Sequence, residues 1–452
     1  METRISVIGL GKLGAPMAAA LAARGLHVTG VDAEVAKVEA LRQGRPPVFE
    51  PELAETIAAA QGRLTATRSV EDAVRDSEIT FIVVATPAEP DGSFSLRHVL
   101  PVCEAVGQAL AGKREFHLVV LTSTVMPGST GGAVRQALES ASGKRAGADF
   151  GLCYNPEFIA LGSVIHDFLN PDFLLIGESD EHSGAILERL YERVCENRPA
   201  IARMNFVNAE IAKLSVNTYV TTKISFANML ARLCEKVPGA SVDVVTGALG
   251  LDSRIGGKYL KGAISYGGPC FPRDNVALLA LAEQVGAPAD LPRATHEFNR
   301  AQIRGLAGLV LQHLAPGEAA GILGLTYKPH TDVTEEAAGL LLARELAGRG
   351  LRVIAFDPEG RLDAAGTLGG SSVRLAASAR ECIAQSGVIV LTTPWPEFLA
   401  IPAESWARTG SPRVVIDCWR ALGHLESAKG ICYIGLGTGA AREESAAGGA
   451  AV

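Results

Sequence analysis

The stretch Ile5-Ser6-Val7-Ile8-Gly9-Leu10-Gly11-Lys12-Leu13-Gly14 runs from an apolar strand pattern into three spaced glycines and then an alanine-rich helix pattern. In a strand–turn–helix unit, Gly9 permits the tight turn, Gly11 lets backbone approach a pyrophosphate, and Gly14 lets helix and strand pack closely. The start of the helix, with Lys12 and Leu13 in the turn before it, offers unpaired amides to phosphate oxygens. A second strand pattern, His27–Val31, ends at Asp32. A carboxylate there suits a ribose 2′-hydroxyl and repels a 2′-phosphate, so NAD is expected over NADP. The glycines alone would also fit a Rossmann-like unit that binds no dinucleotide.

Working outward, short β-branched runs alternate with helical patterns through the first ~200 residues, which predicts a parallel sheet wrapped by helices. Strands are expected at Ile5–Gly9, His27–Val31, Ile79–Ala85, His117–Thr122 and Phe173–Ile176. From about Asn205 to Gln312 the pattern is mostly helical, with one long helix over Ala209–Leu233, ended by Val237-Pro238-Gly239. A second alternating region follows, with strands at Ala320–Leu325, Arg352–Phe356, Val388–Thr392 and Val414–Ile416 and a helix over Glu336–Gly348. The expected class is α/β, with two Rossmann-like doubly wound domains joined by a long central helix and a helical dimerisation region. The expected boundaries are 1–204, 205–312 and 313–437, with a disordered tail over 438–452.

Composition narrows the function. The 452 residues are 48% hydrophobic, enough for sizeable cores, and the net charge of −7 includes no basic block to follow a nucleic-acid backbone. Met1 leads almost directly into the first strand, and no uncharged stretch is long enough to span a bilayer, so a cytoplasmic location without membrane association is expected. Eight cysteines are scattered without a CxxC pair, which fits reduced thiols and predicts neither a disulfide framework nor a metal site.

One cysteine stands apart. Tyr266-Gly267-Gly268-Pro269-Cys270-Phe271-Pro272-Arg273-Asp274 places a thiol after a flexible Gly-Gly turn and beside an expected helix start, where Pro272 fits the first turn. A cysteine at a helix N-terminus gains thiolate character, and Arg273 can add to it. Asp274 would lie one turn on, within reach of a water or proton. The segment by itself fits equally a buried cysteine in a glycine-rich loop. On the long helix, Lys213 and Asn217 share a face with Glu210. Aimed into a cleft they could hold an oxyanion or a water; spacing alone also fits a solvated face.

These segments together resemble the UDP-glucose/GDP-mannose dehydrogenase family over roughly residues 3–435. The family's motifs recur in order: the Gly9–Gly14 turn, Ala85-Thr86-Pro87 with Asp91-Gly92, Ser123-Thr124-Val125-Met126-Pro127-Gly128, and Asn155-Pro156-Glu157-Phe158. Next come the Glu210/Lys213/Asn217 helix with Lys223-Ile224-Ser225-Phe226, then Arg254-Ile255-Gly256, the Cys270 motif, and Tyr327-Lys328-Pro329. The resemblance implies a four-electron oxidation of a nucleotide-sugar C6 alcohol to a carboxylate, with two NAD per sugar. Cys270 would capture the aldehyde as a thiohemiacetal, later a thioester that water releases.

By the same resemblance, Lys213 and Asn217 would stabilise the C6 oxyanion and Asp274 would assist proton transfers. Thr124 would position water, and Glu157 would be an acid/base group. Thr86, Lys37 and Arg273 would lie beside the cofactor. Phe158, Lys261, Tyr266, Gly267, Tyr327 and Lys328 match positions that hold the nucleotide sugar. Arg254 matches an arginine that reaches the partner subunit's site, implying a homodimer.

Several positions depart from the family's pattern. Leu161 stands where an acidic residue is usual, Glu335 replaces an arginine, Pro269 a serine and Arg273 a lysine, and Arg420 is displaced by one residue in Asp417-Cys418-Trp419-Arg420. The Gly-Gly-x-Cys-Phe-Pro pattern points to UDP-glucose, and dTDP-glucose or another nucleotide-linked hexose stays open, since uracil and thymine differ by one methyl. Two rival readings are a two-electron dehydrogenase resembling the β-hydroxyacid group and an inactive nucleotide-sugar-binding relative.

Overall fold

The computed structural model describes residues 3–439 apart from 61 and 370. The chain forms two compact units: one of residues 1–216 with 276–288, the other of residues 217–275 with 289–452.

The first unit is built on an eight-stranded sheet. Its strands are β1 (Arg4–Ile8), β2 (His27–Val31), β3 (Leu64–Thr67), β4 (Ile79–Ile82), β5 (Leu118–Leu121), β6 (Gly151–Tyr154), β7 (Phe173–Glu178) and β8 (Ala200–Met204). Their order is β3-β2-β1-β4-β5-β6-β7-β8. Every pairing is parallel except β6 with β7. The central strands β4, β5 and β6 are buried at every residue, as expected when helices cover both faces. On one face lies the helix Gly14–Ala23, buried from Gly14 to Ala22, whose alanines let it sit close to the sheet. On the other lies Val99–Ala111, packed against Leu138 and Phe150.

The second unit holds a six-stranded parallel sheet of β9 (Ala319–Leu323), β10 (Arg352–Phe356), β11 (Val373–Leu375), β12 (Val388–Leu391), β13 (Arg413–Asp417) and β14 (Ile431–Gly435). The order β11-β10-β9-β12-β13-β14 repeats the winding of β3-β2-β1-β4-β5-β6. In each sheet the order of strand addition reverses, the fourth strand lying on the opposite side of the first from the second. Such a switch point opens a crevice at the carboxyl ends of the strands.

The predicted long helix runs over Phe206–Cys234, 29 residues. It starts where Asn205 Oδ1 accepts the Asn208 N–H at 3.0 Å, a side-chain cap that extends it beyond the apolar pattern. Five of the strands, β3, β6, β8, β11 and β14, have no counterpart in the sequence-based expectation; each is five residues or shorter. At the end of the described residues, Thr438 bridges to Ser241 and the Gly439 N–H donates to Ala240 O. The rest of the expected tail, residues 440–452, lies outside the described residues. Among the described residues no helix is long and apolar enough to cross a membrane.

Candidate functional site

In the first unit the glycine turn follows β1. Gly9 has φ +105°, and a Cβ there would lie 2.3 Å from the Val83 carbonyl oxygen. At Gly14 a Cβ would lie 1.8 Å from the Gly9 oxygen. Both positions therefore exclude any side chain. At Gly11 an added Cβ meets nothing within 4 Å, so the turn is open at the position where a phosphate needs backbone access. No side chain caps the helix Gly14–Ala23; its Ala15 and Met17 N–H groups bond the Gly11 and Leu13 carbonyls at 3.1 and 3.0 Å, so it is the glycine turn before the helix that faces a ligand.

Asp32 fixes this turn. Its Oδ2 accepts the Leu10 N–H at 2.8 Å and its Oδ1 the Glu34 N–H at 2.9 Å. Lys37 Nζ stands 3.9 Å from Asp32 and 2.5 Å from Glu34. On the neighbouring strands, Thr86 follows β4 and donates through Oγ1 to the Thr124 carbonyl after β5 at 2.7 Å. The carboxyl ends of β1, β4 and β5 thus bring Gly9–Gly14, Thr86 and Thr124 to one rim. This open turn, uncapped helix and ribose-side carboxylate fit a dinucleotide.

Beyond β6, Glu157 and Phe158 meet Lys213. Lys213 Nζ donates to the Glu157 carbonyl at 2.6 Å and stands 4.4 Å from the centroid of the Phe158 ring. Glu157 Oε1 lies 3.1 Å from the Tyr191 hydroxyl, which also bonds Asn155. Burial pushes the Glu157 carboxyl up to about 7, against the pull of Tyr191 and Lys213. A carboxyl poised there can give or take a proton near neutrality.

Glu210, one helical turn before Lys213, has a different duty. Its two carboxylate oxygens accept the Gly128 and Thr130 N–H groups at 2.6 and 2.8 Å, tying the Ser123–Gly128 segment to the long helix. A cavity of about 620 Å³ lies beside this segment, lined by Asp91, Ser93, Met126, Gly128 and Gln284, and holds none of the predicted catalytic side chains.

In the second unit Cys270 immediately precedes the helix Phe271–Gln284, whose first turn contains Pro272. The thiol is exposed, whereas six of the other seven cysteines are buried. Close packing fixes the approach to it. A Cβ on Gly267 would lie 2.2 Å from the Glu336 carbonyl oxygen, and one on Gly268, at φ +84°, would lie 2.8 Å from the Tyr327 ring. The Gly268 N–H donates to Glu335 O at 2.9 Å. Asn299 holds Tyr266 through both its backbone N–H (2.9 Å) and its carbonyl (3.0 Å).

Asp274 begins the turn after Cys270, its N–H donating to the Cys270 carbonyl at 2.8 Å. Its side chain is only 1% exposed. Asn217 Nδ2 donates to its Oδ2 at 2.6 Å, and Arg273 Nε stands 3.7 Å from its Oδ1. Asn275 Nδ2 reaches Thr221 Oγ1 at 2.8 Å, the Tyr266 hydroxyl at 3.2 Å and Phe271 O at 3.0 Å.

The other predicted substrate positions are spread through this unit. Arg254 is 87% exposed and pairs with Asp252 at 2.6 Å. Lys261 is exposed, and Lys328 Nζ stands 6.0 Å from the Tyr327 ring centroid. Arg420 is committed elsewhere. It forks onto Asp243 at 2.7 and 2.8 Å and bonds the Leu436 and Gly262 carbonyls at 2.6 Å each.

The departure at Leu161 has a structural context. Glu50 accepts the Gly162 and Val164 N–H groups at 2.9 Å each, and Asp167 accepts the Ala160 N–H at 3.1 Å. Tyr191, Asn275 and Asn299 escape a sequence reading because they act through partners distant in the chain. Glu210, by contrast, is signalled in the sequence by its helical phase with Lys213.

The second sheet carries a copy of the first turn. Gly324 has φ +103°, and a Cβ on Gly339 would lie 1.9 Å from the Gly324 oxygen. Asp357 takes the place of Asp32, accepting the Leu325 N–H at 2.7 Å. Asp357 is fully buried and also accepts from Thr326 N and Oγ1, Glu359 N, Gly360 N and Trp395 Nε1.

The chain matches three models of the UDP-glucose/GDP-mannose dehydrogenase family: the NAD binding domain over residues 3–195, the central domain over 207–301 and the UDP binding domain over 321–424. It is 33% identical over 417 residues to UDP-glucose 6-dehydrogenase AglM of Haloferax volcanii, covering 91% of this chain and 96% of that protein. It is 35% identical over 358 residues to GDP-mannose 6-dehydrogenase of Azotobacter vinelandii, covering 78% and 81%. Among solved structures, a UDP-glucose dehydrogenase from the hyperthermophilic archaeon Pyrobaculum islandicum superposes with a TM-score of 0.88 at 35% identity, covering 97% of this chain and 98% of that one.

Proposed function

We propose that this chain, which belongs to the UDP-glucose/GDP-mannose dehydrogenase family and is an NAD-dependent nucleotide-sugar 6-dehydrogenase, oxidises UDP-glucose to the uronate through a thioester on Cys270. The observation that carries the mechanism is the exposed Cys270 thiol at the start of the helix Phe271–Gln284, one turn from the buried Asp274–Asn217 pair.

NAD, held by the Gly9–Gly14 turn and Asp32, would supply the two-electron acceptor for each of the two oxidations at C6, so each uronate formed would accompany two NADH. The protein's own residues do the rest. Cys270 Sγ adds to the aldehyde carbon, forming a C–S bond while the carbonyl oxygen becomes an oxyanion. Lys213 and Asn217 supply the N–H donors for that oxygen. Loss of the second hydride leaves the thioester. Glu157, poised near 7, takes a proton from the attacking water, and the C–S bond breaks to return the thiol and the carboxylate. Covalent capture keeps the aldehyde from leaving before the second oxidation.

UDP-glucose is favoured over GDP-mannose by the Gly267-Gly268-x-Cys270-Phe271-Pro272 segment and by the UDP-glucose dehydrogenases among the relatives. dTDP-glucose is the second reading, one methyl away. Arg254 and an apolar stripe on the long helix support a homodimer: Tyr219, Phe226, Met229 and Leu233 are exposed there, as are Val244 and Leu251 nearby in sequence. The thiol chemistry suits a reducing cytoplasm.

Initial rates with UDP-, dTDP-, GDP- and ADP-glucose and with GDP-mannose, with NADH counted per sugar consumed, test this reading. UDP-glucose is expected to give the highest kcat/KM and two NADH; one NADH per sugar would overturn the thioester route.

A further inference from the structure

The second unit has a cavity that the proposed reaction does not use. It lies where the strands of the six-stranded sheet begin, at the opposite end from the Gly324 turn and Asp357. It is an open depression of about 270 Å³, lined by Glu318, Arg352, Gln385, Ser386, Arg408 and Arg413 among others. Parallel register sets Arg352 beside Ala319, and Val388 beside both Ala320 and Val414. Arg352 and Arg413 therefore flank the two central strands at one level.

The charges in this cavity do not balance. Arg408 is satisfied: Nη1 donates to Glu318 Oε1 at 2.6 Å and Nε to Ser411 O at 2.8 Å. Arg413 is 4% exposed, and its Nε and Nη1 are buried without a hydrogen-bond partner. Burial, then the neighbouring Arg408, draws its pKa below the ordinary arginine value, against the pull of Cys382 and Glu318. A buried guanidinium with unmade bonds is unfavourable unless something supplies acceptors. Since Nε and Nη1 are closed to the cavity in this conformation, a small shift of the Arg413 side chain would bring them to an acceptor there. Gly387 forms part of the wall; a Cβ there would lie 1.9 Å from Glu318 Oε2.

We propose that this cavity binds a small phosphoryl anion, held by Arg413 and Arg352. Glu318 already offsets Arg408, leaving two positive charges for a group that carries close to two negative ones. The oxygens of a phosphoryl group suit the forked N–H donors of guanidinium. A five-residue strand separates the two ends of the sheet by roughly 17 Å, so the anion would bind without displacing a ligand at the Gly324 end.

The test uses the full chain saturated with NAD, at fixed pH and ionic strength. Tm is measured in sodium phosphate against sodium chloride, with calorimetric titration of inorganic phosphate and, separately, of a sugar phosphate monoester. We expect phosphate to raise Tm by several degrees. Arg413→Met should abolish that rise and weaken phosphate binding by at least about tenfold. Arg352→Gln, at an exposed position, should weaken it several-fold and keeps the test decisive if the Arg413 variant does not fold. Tighter binding of the monoester would identify a metabolite as the occupant, and equal binding would identify free phosphate; both support the site. An unchanged Tm in phosphate, or a wild-type response in the variants that fold, would overturn it.

Discussion

Asn217 donates to the buried carboxylate of Asp274 at 2.6 Å, joining the long helix to the helix that Cys270 precedes. With Asp274 1% exposed, this bond is both a structural tie and the feature that sets the carboxylate one turn from the thiol.

Replacing Asn217 by Asp would face two carboxylates across that distance between buried residues. We expect a loss of about 3 kcal/mol or more in unfolding free energy. The exchange Asn217→Asp with Asp274→Asn should recover most of it, because the pair is restored in reverse. A double-mutant cycle by urea denaturation measures the coupling. Additive losses would show that the two side chains do not depend on each other.

Cys270→Ser should abolish uronate formation while leaving the affinity for NAD, read by fluorescence titration, within about twofold of wild type. A hydroxyl at this position is a far weaker nucleophile than a thiol at neutral pH. Normal turnover by the serine variant would exclude the thioester.

Glu157 should impose an alkaline-rising limb on thioester hydrolysis with an apparent pKa near 7, since only its carboxylate can accept the proton from water. Glu157→Gln should flatten the limb and slow hydrolysis by about 10²-fold or more. Its linkage to stability has the opposite trend. The folded-state value lies above the ordinary 4.5, so the contribution to stability is complete below pH 4.5 and is lost as pH rises through 7. Relative to the glutamine variant, wild type should therefore lose stability across that window in urea titrations at stepped pH.

Phe226→Glu places a charge in the exposed apolar stripe formed with Met229 and Leu233. We expect the proposed dimer to dissociate into monomers by light scattering after size exclusion. An unchanged mass would move the interface elsewhere.

The parts of the fold that a sequence can announce are those written in local spacing. The Gly9–Gly14 turn, Asp32 at the end of β2 and the body of the long helix over Ala209–Leu233 follow from glycine placement and apolar period, whereas its first turn from Phe206 does not. Asp274 lies one turn from Cys270 because Pro272 and the helix start are adjacent in the chain. Strands such as β3 and β11 are too short to carry a period, and β7 lies antiparallel to β6 for reasons that no local pattern encodes. The Glu157–Tyr191 contact spans 34 residues and Asn217–Asp274 spans 57, so packing alone creates them. Arg420 illustrates the reverse case: its displacement in the motif is visible in the sequence, but its occupation by Asp243 and two carbonyls is not.

The repeated turn has one further consequence. Asp32 keeps part of its surface open, whereas Asp357 spends every lone pair on six donors from its own chain. A ribose arriving at the second turn would find no acceptor to greet it, so we expect the twin architecture to take a single coenzyme per polypeptide, and a binding isotherm should saturate at that ratio.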